Sequence, residues 1–249
     1  MTAKDLNDRI NNFWGYGSLE SPTWLVGMEE GFCVTSDTAA DRKMLERQFL
    51  LPTANGMFDA SRPIDKDICD LTNLSPFLPN AKLQRTWEFP ITLYMFLRKG
   101  KVSHGDEVVD FQRSTLADGK KNEVATLELM PLPSPSTSAW LYGDIQGFET
   151  RKSYLKAYKR ARAHGLRELV EKYSPKLVIF YSVGYLRDWE VVNGKMFEEV
   201  MHQMYFSKTE KTSLCVIPQP RYLPRAYERL YEYAEKIKGR IDFPDSLRI

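Results

Sequence analysis

The sequence predicts a three-layer α/β/α fold around a central four-stranded parallel sheet. Four short runs, TWLVG at 23–27, VATLELM at 124–130, KLVIFYS at 176–182 and SLCVIP at 213–218, are apolar nearly throughout. Strands covered on both faces read this way, whereas half-exposed strands alternate. Segments with apolar residues at helical spacing separate the runs, and strand–helix alternation is the pattern of a parallel sheet with right-handed crossovers. No repeat, low-complexity tract or Gly/Ser linker divides the 249 residues, so one domain over 1–249 is the simplest organisation.

Taken in order, the first run passes into Gly27-Met28-Glu29-Glu30-Gly31, read as a tight glycine turn. Residues 40–50 follow as a helix carrying Met44, Leu45 and Phe49. A second helix spans 90–98, opened by Pro90 and stopped by Gly100. The second strand leads into the proline-rich PLPSPSTS at 131–138. The long stretch 150–173 lines up Tyr154, Leu155, Tyr158, Ala161, Leu166, Leu169 and Val170, and ends before Ser174-Pro175. After the fourth strand, Tyr227, Leu230, Ala234 and Ile237 repeat at helical spacing up to Gly239.

Composition narrows the function. A net charge of +2 is not that of a polycation, although it leaves room for a local basic face. Cys33, Cys69 and Cys215 are odd in number and far apart, which argues for reduced thiols and against a disulfide framework or a four-cysteine metal site. The polar start MTAKDLNDR lacks the apolar core of a signal peptide, and no apolar run reaches the roughly 18–20 residues of a membrane span. A cytoplasmic protein with no membrane partner is expected. None of His104, His164 and His202 sits in a strand-end motif or at metal spacing, and neither GxGxxG nor a GxxxxGK[ST] loop occurs. Nucleotide hydrolysis and hydride transfer lose ground accordingly.

In open parallel sheets ligands bind beyond the carboxyl ends of the strands. Those ends supply Glu29 and Glu30 from the first strand, Glu128 from the second, and Gln219 and Arg221 from the fourth. Glu128 stands out, because an unpaired carboxylate among Leu127, Leu129 and Met130 costs several kcal/mol or takes up a proton. An exposed strand face or a partner arginine is the alternative to a ligand-reading role. In PLPSPSTS, hydroxyls such as those of Ser134 and Ser136 could hold phosphate oxygens; a surface turn is the commoner use of such a stretch. The basic run RKSYLKAYKRARAHGLR at 151–167 is a phosphate track only if it faces the cleft, and otherwise a solvated helix face.

In order and spacing these motifs resemble the uracil-DNA glycosylase superfamily over roughly residues 10–240. The family's first motif is a strand running into a turn such as Gly-Met-Asn-Pro-Gly, whose third residue handles the attacking water. GMEEG places Glu29 there and Glu30 where proline is usual. A second family strand ends in an asparagine that reads the flipped base, often before Leu-x-Pro-Leu. LELMPLP matches with Glu128 in the asparagine's place. The last motif has a histidine that contacts the base and a wedge that enters the duplex. IPQPRYLP fits with Gln219 at the histidine position and Leu223 as wedge, or alternatively with Ile217 and Arg221.

The resemblance implies a monomeric, monofunctional DNA glycosylase working without metal or cofactor, with DNA as its partner. Such enzymes flip the target nucleotide out of the stack. Breaking the N-glycosidic bond passes through an oxocarbenium-like state, which a carboxylate at Glu29 would stabilise while orienting water. A glutamate at 128 suits the exocyclic amino group of a cytosine better than uracil, because ionised it only accepts and protonated it offers one donor and one acceptor. Gly31 leaves open the space beside C5 that the uracil-strict branch closes with tyrosine. Together they suggest a 5-substituted cytosine, such as the hydroxymethylated or glucosylated bases of some phage DNA, and a role in defence. Phe32 is the candidate to stack on the flipped base, in competition with core packing and with Phe49 and Phe58. The alternatives are a uracil glycosylase of base excision repair, a nucleic-acid-binding module without catalysis, and a metal-dependent nuclease built from Glu29, Glu30 and Glu128.

Overall fold

The computed structural model describes residues 1–32, 38–51, 53–61, 75–219 and 226–241. Among the described residues eight strands are β1 (Gly15–Tyr16), β2 (Thr23–Gly31), β3 (Met57–Phe58), β4 (Val124–Ser134), β5 (Leu177–Phe180), β6 (Glu198–Met201), β7 (Met204–Lys208) and β8 (Ser213–Val216). They form one mixed sheet in the order β3-β1-β4-β2-β5-β8-β7-β6. Among the described residues seven α-helices accompany it: α1 (Ala3–Asn12), α2 (Thr38–Phe49), α3 (Arg85–Lys99), α4 (Asp106–Ser114), α5 (Arg151–Tyr173), α6 (Leu186–Asn193) and α7 (Ala226–Lys238).

The four apolar runs are β2, β4, β5 and β8, which lie side by side and parallel. A sheet of only four parallel strands is corrected to a mixed one of eight. Beyond β4 the sheet gains antiparallel β1 and, paired to it, β3; beyond β8 it gains antiparallel β7 and then β6. Strands of two residues carry no periodic signal, and β6 opens with two exposed glutamates and is nowhere fully buried, so neither type announces itself.

Alternation along the central strands divides the interior into two cores. Trp24, Val26 and Met28 of β2, Val178 and Phe180 of β5, and Leu214 and Val216 of β8 pack with α1, α5 and α6. Leu25, Leu177, Ile179 and Cys215 point the other way and pack with α3 and α7. Helices therefore cover both faces of the sheet. Among the described residues no helix is long and apolar enough to cross a membrane.

Helix ends follow the expected chemistry with one exception. Thr150 and Ser153 form a capping box at the start of α5, which stops where Ser174 turns left-handed (φ 49°) ahead of Pro175. Gly100 closes α3 in the same way at φ 71°. Pro90, however, lies inside α3 and does not open it: the helix starts at Arg85, after Gln84.

The GMEEG segment is also corrected, since β2 continues through it to Gly31 as extended backbone. Glu29 pairs with Met130 and Gly31 with Ser134, so β4 spends four residues where β2 spends two. The extra length falls on Pro131 and Pro133, which have no N–H for the ladder. LELMPLPS is thus strand to its end, and the loop begins only after Ser134.

Candidate functional site

Glu128 is set into β4 by its own backbone. Its N–H donates to the Trp14 carbonyl at 2.9 Å, and its carbonyl accepts from Arg162 Nη2 at 3.0 Å. Arg162 also donates to the carbonyls of Leu129 and Ile10, both at 2.9 Å, and stacks over Trp14. A buried arginine is therefore present, but it holds main chain and not the Glu128 carboxyl. Glu128 is only 6 % exposed. Its Oε1 accepts from the Tyr181 hydroxyl at 3.1 Å, and its buried Oε2 has no partner. Burial above all, then the charge of Glu30, holds Glu128 well above the usual carboxylate range; Tyr181 acts the other way, and Glu29 adds a smaller upward push. Glu128 is thus neither on an exposed face nor paired to an arginine.

Gly27, across the ladder from Glu128, makes this possible. A Cβ there would stand 2.3 Å from Glu128 Oε2 and 2.4 Å from the Tyr181 hydroxyl, so any other residue would make the ends of these side chains shift. The first glycine of GMEEG leaves the room in which the carboxyl lies.

Two residues further along β2, Glu29 meets Arg151 at the first position of α5. Arg151 Nε donates to Oε2 at 2.8 Å and to Oε1 at 3.1 Å, and Nη2 to Oε2 at 2.6 Å. The pair is largely buried, with side-chain exposures of 11 % for Glu29 and 16 % for Arg151. Burial raises the Glu29 pKa above its ordinary value, and the bonds and charge of Arg151 draw it back only in part. Glu30 has a different setting. It accepts from Arg9 Nη2 at 3.0 Å, from Gln48 Nε2 at 2.6 Å and from the Tyr16 hydroxyl, which ties α1, α2 and β1 to the end of β2. With every one of these groups buried, Glu30 is a structural anchor.

Glu29 lies near the carboxyl end of β2, but Glu128, expected at a strand end, sits inside the adjacent β4, which runs on through the prolines to Ser134. The other candidates are scattered. Gly31 is exposed, and a Cβ on it would meet nothing within 4 Å. Phe32 packs into the core shared with α1 and α5, whereas Tyr181 belongs to the opposite core. Phe58 is buried against Tyr16, and Phe49 packs at the edge of the Phe32 core. The Ser134 hydroxyl donates to the carbonyls of Ser136 and Ala139, both at 2.8 Å, so it braces its own loop. Ser136 is exposed and caps the Ser138 and Ala139 amides. Gln219, beyond β8, is half-buried; Arg221 and Leu223 lie outside the described residues. The basic run is no continuous track. Arg162 is turned inward, Arg151 holds Glu29, Lys159 holds Asp188 and Arg167 holds Glu171, while Lys152, Lys156 and Arg160 are exposed.

Tyr181 and Arg151 are site residues that the sequence does not single out. Tyr181 reads as part of an apolar strand, although a hydroxyl at the carboxyl end of a parallel strand is the available signal. Arg151 is one cation among seven in its run, and only its place at the first turn of α5 sets it apart. A cavity of about 420 Å³ bordered by Asp8, Arg9, Glu46 and Phe49 does not have Glu29, Glu128, Arg151 or Tyr181 in its lining. Among the described residues no group of three or more His, Cys, Asp or Glu side chains is arranged to hold a metal ion, and Glu29, Glu30 and Glu128 turn to three different partners. No family model matches the chain, and no curated protein matches it.

Proposed function

We propose that the chain is a DNA glycosylase that hydrolyses the N-glycosidic bond of a flipped base, a 5-substituted cytosine, and leaves an abasic site. The observation that carries this reading is a pair of carboxyls on adjacent strands in unlike environments: Glu128 desolvated with no cation at its carboxyl, and Glu29 ion-paired at the mouth of α5. Carboxyls whose surroundings separate their protonation behaviour are the usual division of labour between proton donor and base. As the bond between N1 and C1′ breaks, its electron pair passes to the base, and the neutral Glu128 donates towards N3 while accepting from N4–H. Water adds to C1′ and gives its proton to Glu29, whose charge also stabilises the developing oxocarbenium. Gly31 leaves room for a substituent on C5. The resemblance to uracil-DNA glycosylases and the layered sheet with its parallel centre support the same reading. A phage-derived base and a defensive role go with that substrate.

Arg151's hold on both Glu29 oxygens favours a second reading, a nucleic-acid-binding module in which Glu29 is spent on structure. One experiment separates them: duplexes carrying uracil, cytosine, 5-hydroxymethylcytosine or its glucosylated form are incubated with the protein in EDTA and assayed for alkali-labile sites. Base release from a modified cytosine, lost in Glu29→Gln by roughly two orders of magnitude or more, supports the enzyme. Tight binding with all four duplexes intact supports the module, and release of uracil alone assigns the chain to repair.

A further inference from the structure

The two oxygens of Glu128 are not equivalent. Oε1 accepts from Tyr181, while Oε2 is buried over Gly27 without a partner. The Tyr181 hydroxyl directs its proton at the carboxyl. A neutral carboxyl that accepts on one oxygen carries its proton on the other. The other groups around it bring no free cation: Glu29 and Glu30 on β2 are paired to arginines, Tyr181 is a neutral donor, the buried Thr126 hydroxyl makes no hydrogen bond, and Arg162 is occupied by carbonyls.

We propose that Tyr181 is a specificity-determining positioning residue that fixes the Glu128 proton on Oε2. The carboxyl then presents one donor and one acceptor in a set order. Resting on the glycosylase reading, this order is the one complementary to N3 and N4–H of a cytosine-type base. Without Tyr181 the proton passes freely between the oxygens, and the same carboxyl also matches the N3–H and O4 of uracil. Tyr181 thus supplies the discrimination that an unconstrained carboxyl lacks.

Two measurements test this, and the first needs no substrate. Infrared difference spectra between wild type and Glu128→Gln at neutral pH isolate the Glu128 carboxyl. A carboxylic-acid C=O band is expected, moving to higher frequency in Tyr181→Phe, where the carbonyl loses its donor. A carboxylate band, or a C=O band indifferent to Tyr181→Phe, overturns the proposal. The second measurement is the ratio of kcat/KM on 5-hydroxymethylcytosine to that on uracil duplexes, which should fall at least tenfold in Tyr181→Phe with the fold intact by circular dichroism. An unchanged ratio overturns the proposal as well. If wild-type protein releases no base from any duplex, the glycosylase reading fails, and the infrared band still decides where the proton lies.

Discussion

Replacing Glu128 with glutamine should make the protein more stable relative to wild type as the pH rises. In the unfolded chain Glu128 titrates near 4.5, and in the folded protein burial and the charge of Glu30 place it well above that. Between the two values the folded state holds a proton that the unfolded state has lost, so stability falls with pH by at most about 1.4 kcal/mol per unit for one proton. The contribution is fully present below the unfolded value and is lost as pH climbs through the folded one. Glutamine keeps the shape and an acceptor for Tyr181 and removes the titration. The stability difference between Glu128→Gln and wild type should therefore grow as the pH rises above about 4.5, by at most about 1.4 kcal/mol per unit. Urea denaturation at matched ionic strength in half-unit steps measures it, since other groups cancel in the difference except as they couple to Glu128. Parallel stability curves for the two proteins would refute a buried, neutral Glu128, and with it the assignment of a proton donor to this position.

Three further outcomes rest on the buried arginines. Arg151→Ala removes the bonds that draw the Glu29 pKa down, so the acid limb of kcat/KM for base release should move to higher pH, with a larger loss at about pH 6 than at about pH 8. Arg9→Ala strands Glu30 in the interior and should cost about 3–5 kcal/mol in urea unfolding; pairing it with Glu30→Gln should recover part of that loss in a double-mutant cycle. Arg162→Met leaves the carbonyls of Ile10, Glu128 and Leu129 without their donor and should cost about 3 kcal/mol or more, read by the same urea titrations.

The centre of the fold is legible because its signal is local. Trp24-Leu25-Val26 and Leu177-Val178-Ile179-Phe180 must be apolar on both faces wherever helices cover both, and this marks them as central strands without any knowledge of their partners. The sheet's edges lack that property. β1 is two residues whose pairing with β4 is fixed by contacts more than a hundred positions away, as in Gly15 with Leu127. Pro90 misleads for a related reason: a proline at the first turn is a common start, but tertiary packing of Phe89, Ile91 and Tyr94 carries α3 back to Arg85.

The same division separates the glutamates. Successive side chains of an extended strand diverge, so once GMEEG is strand and not turn, Glu29 and Glu30 cannot form a carboxylate pair. What each does is then set by residues remote in sequence: Arg151 for Glu29; Arg9, Tyr16 and Gln48 for Glu30; Tyr181 for Glu128. A run of residues gives the types available at a strand end, but the charge state of a carboxyl depends on which donor reaches it and how much water is left around it. Glu128 meets a neutral hydroxyl and Glu29 meets a guanidinium, and this difference in partner fits one residue to donate a proton and the other to take one.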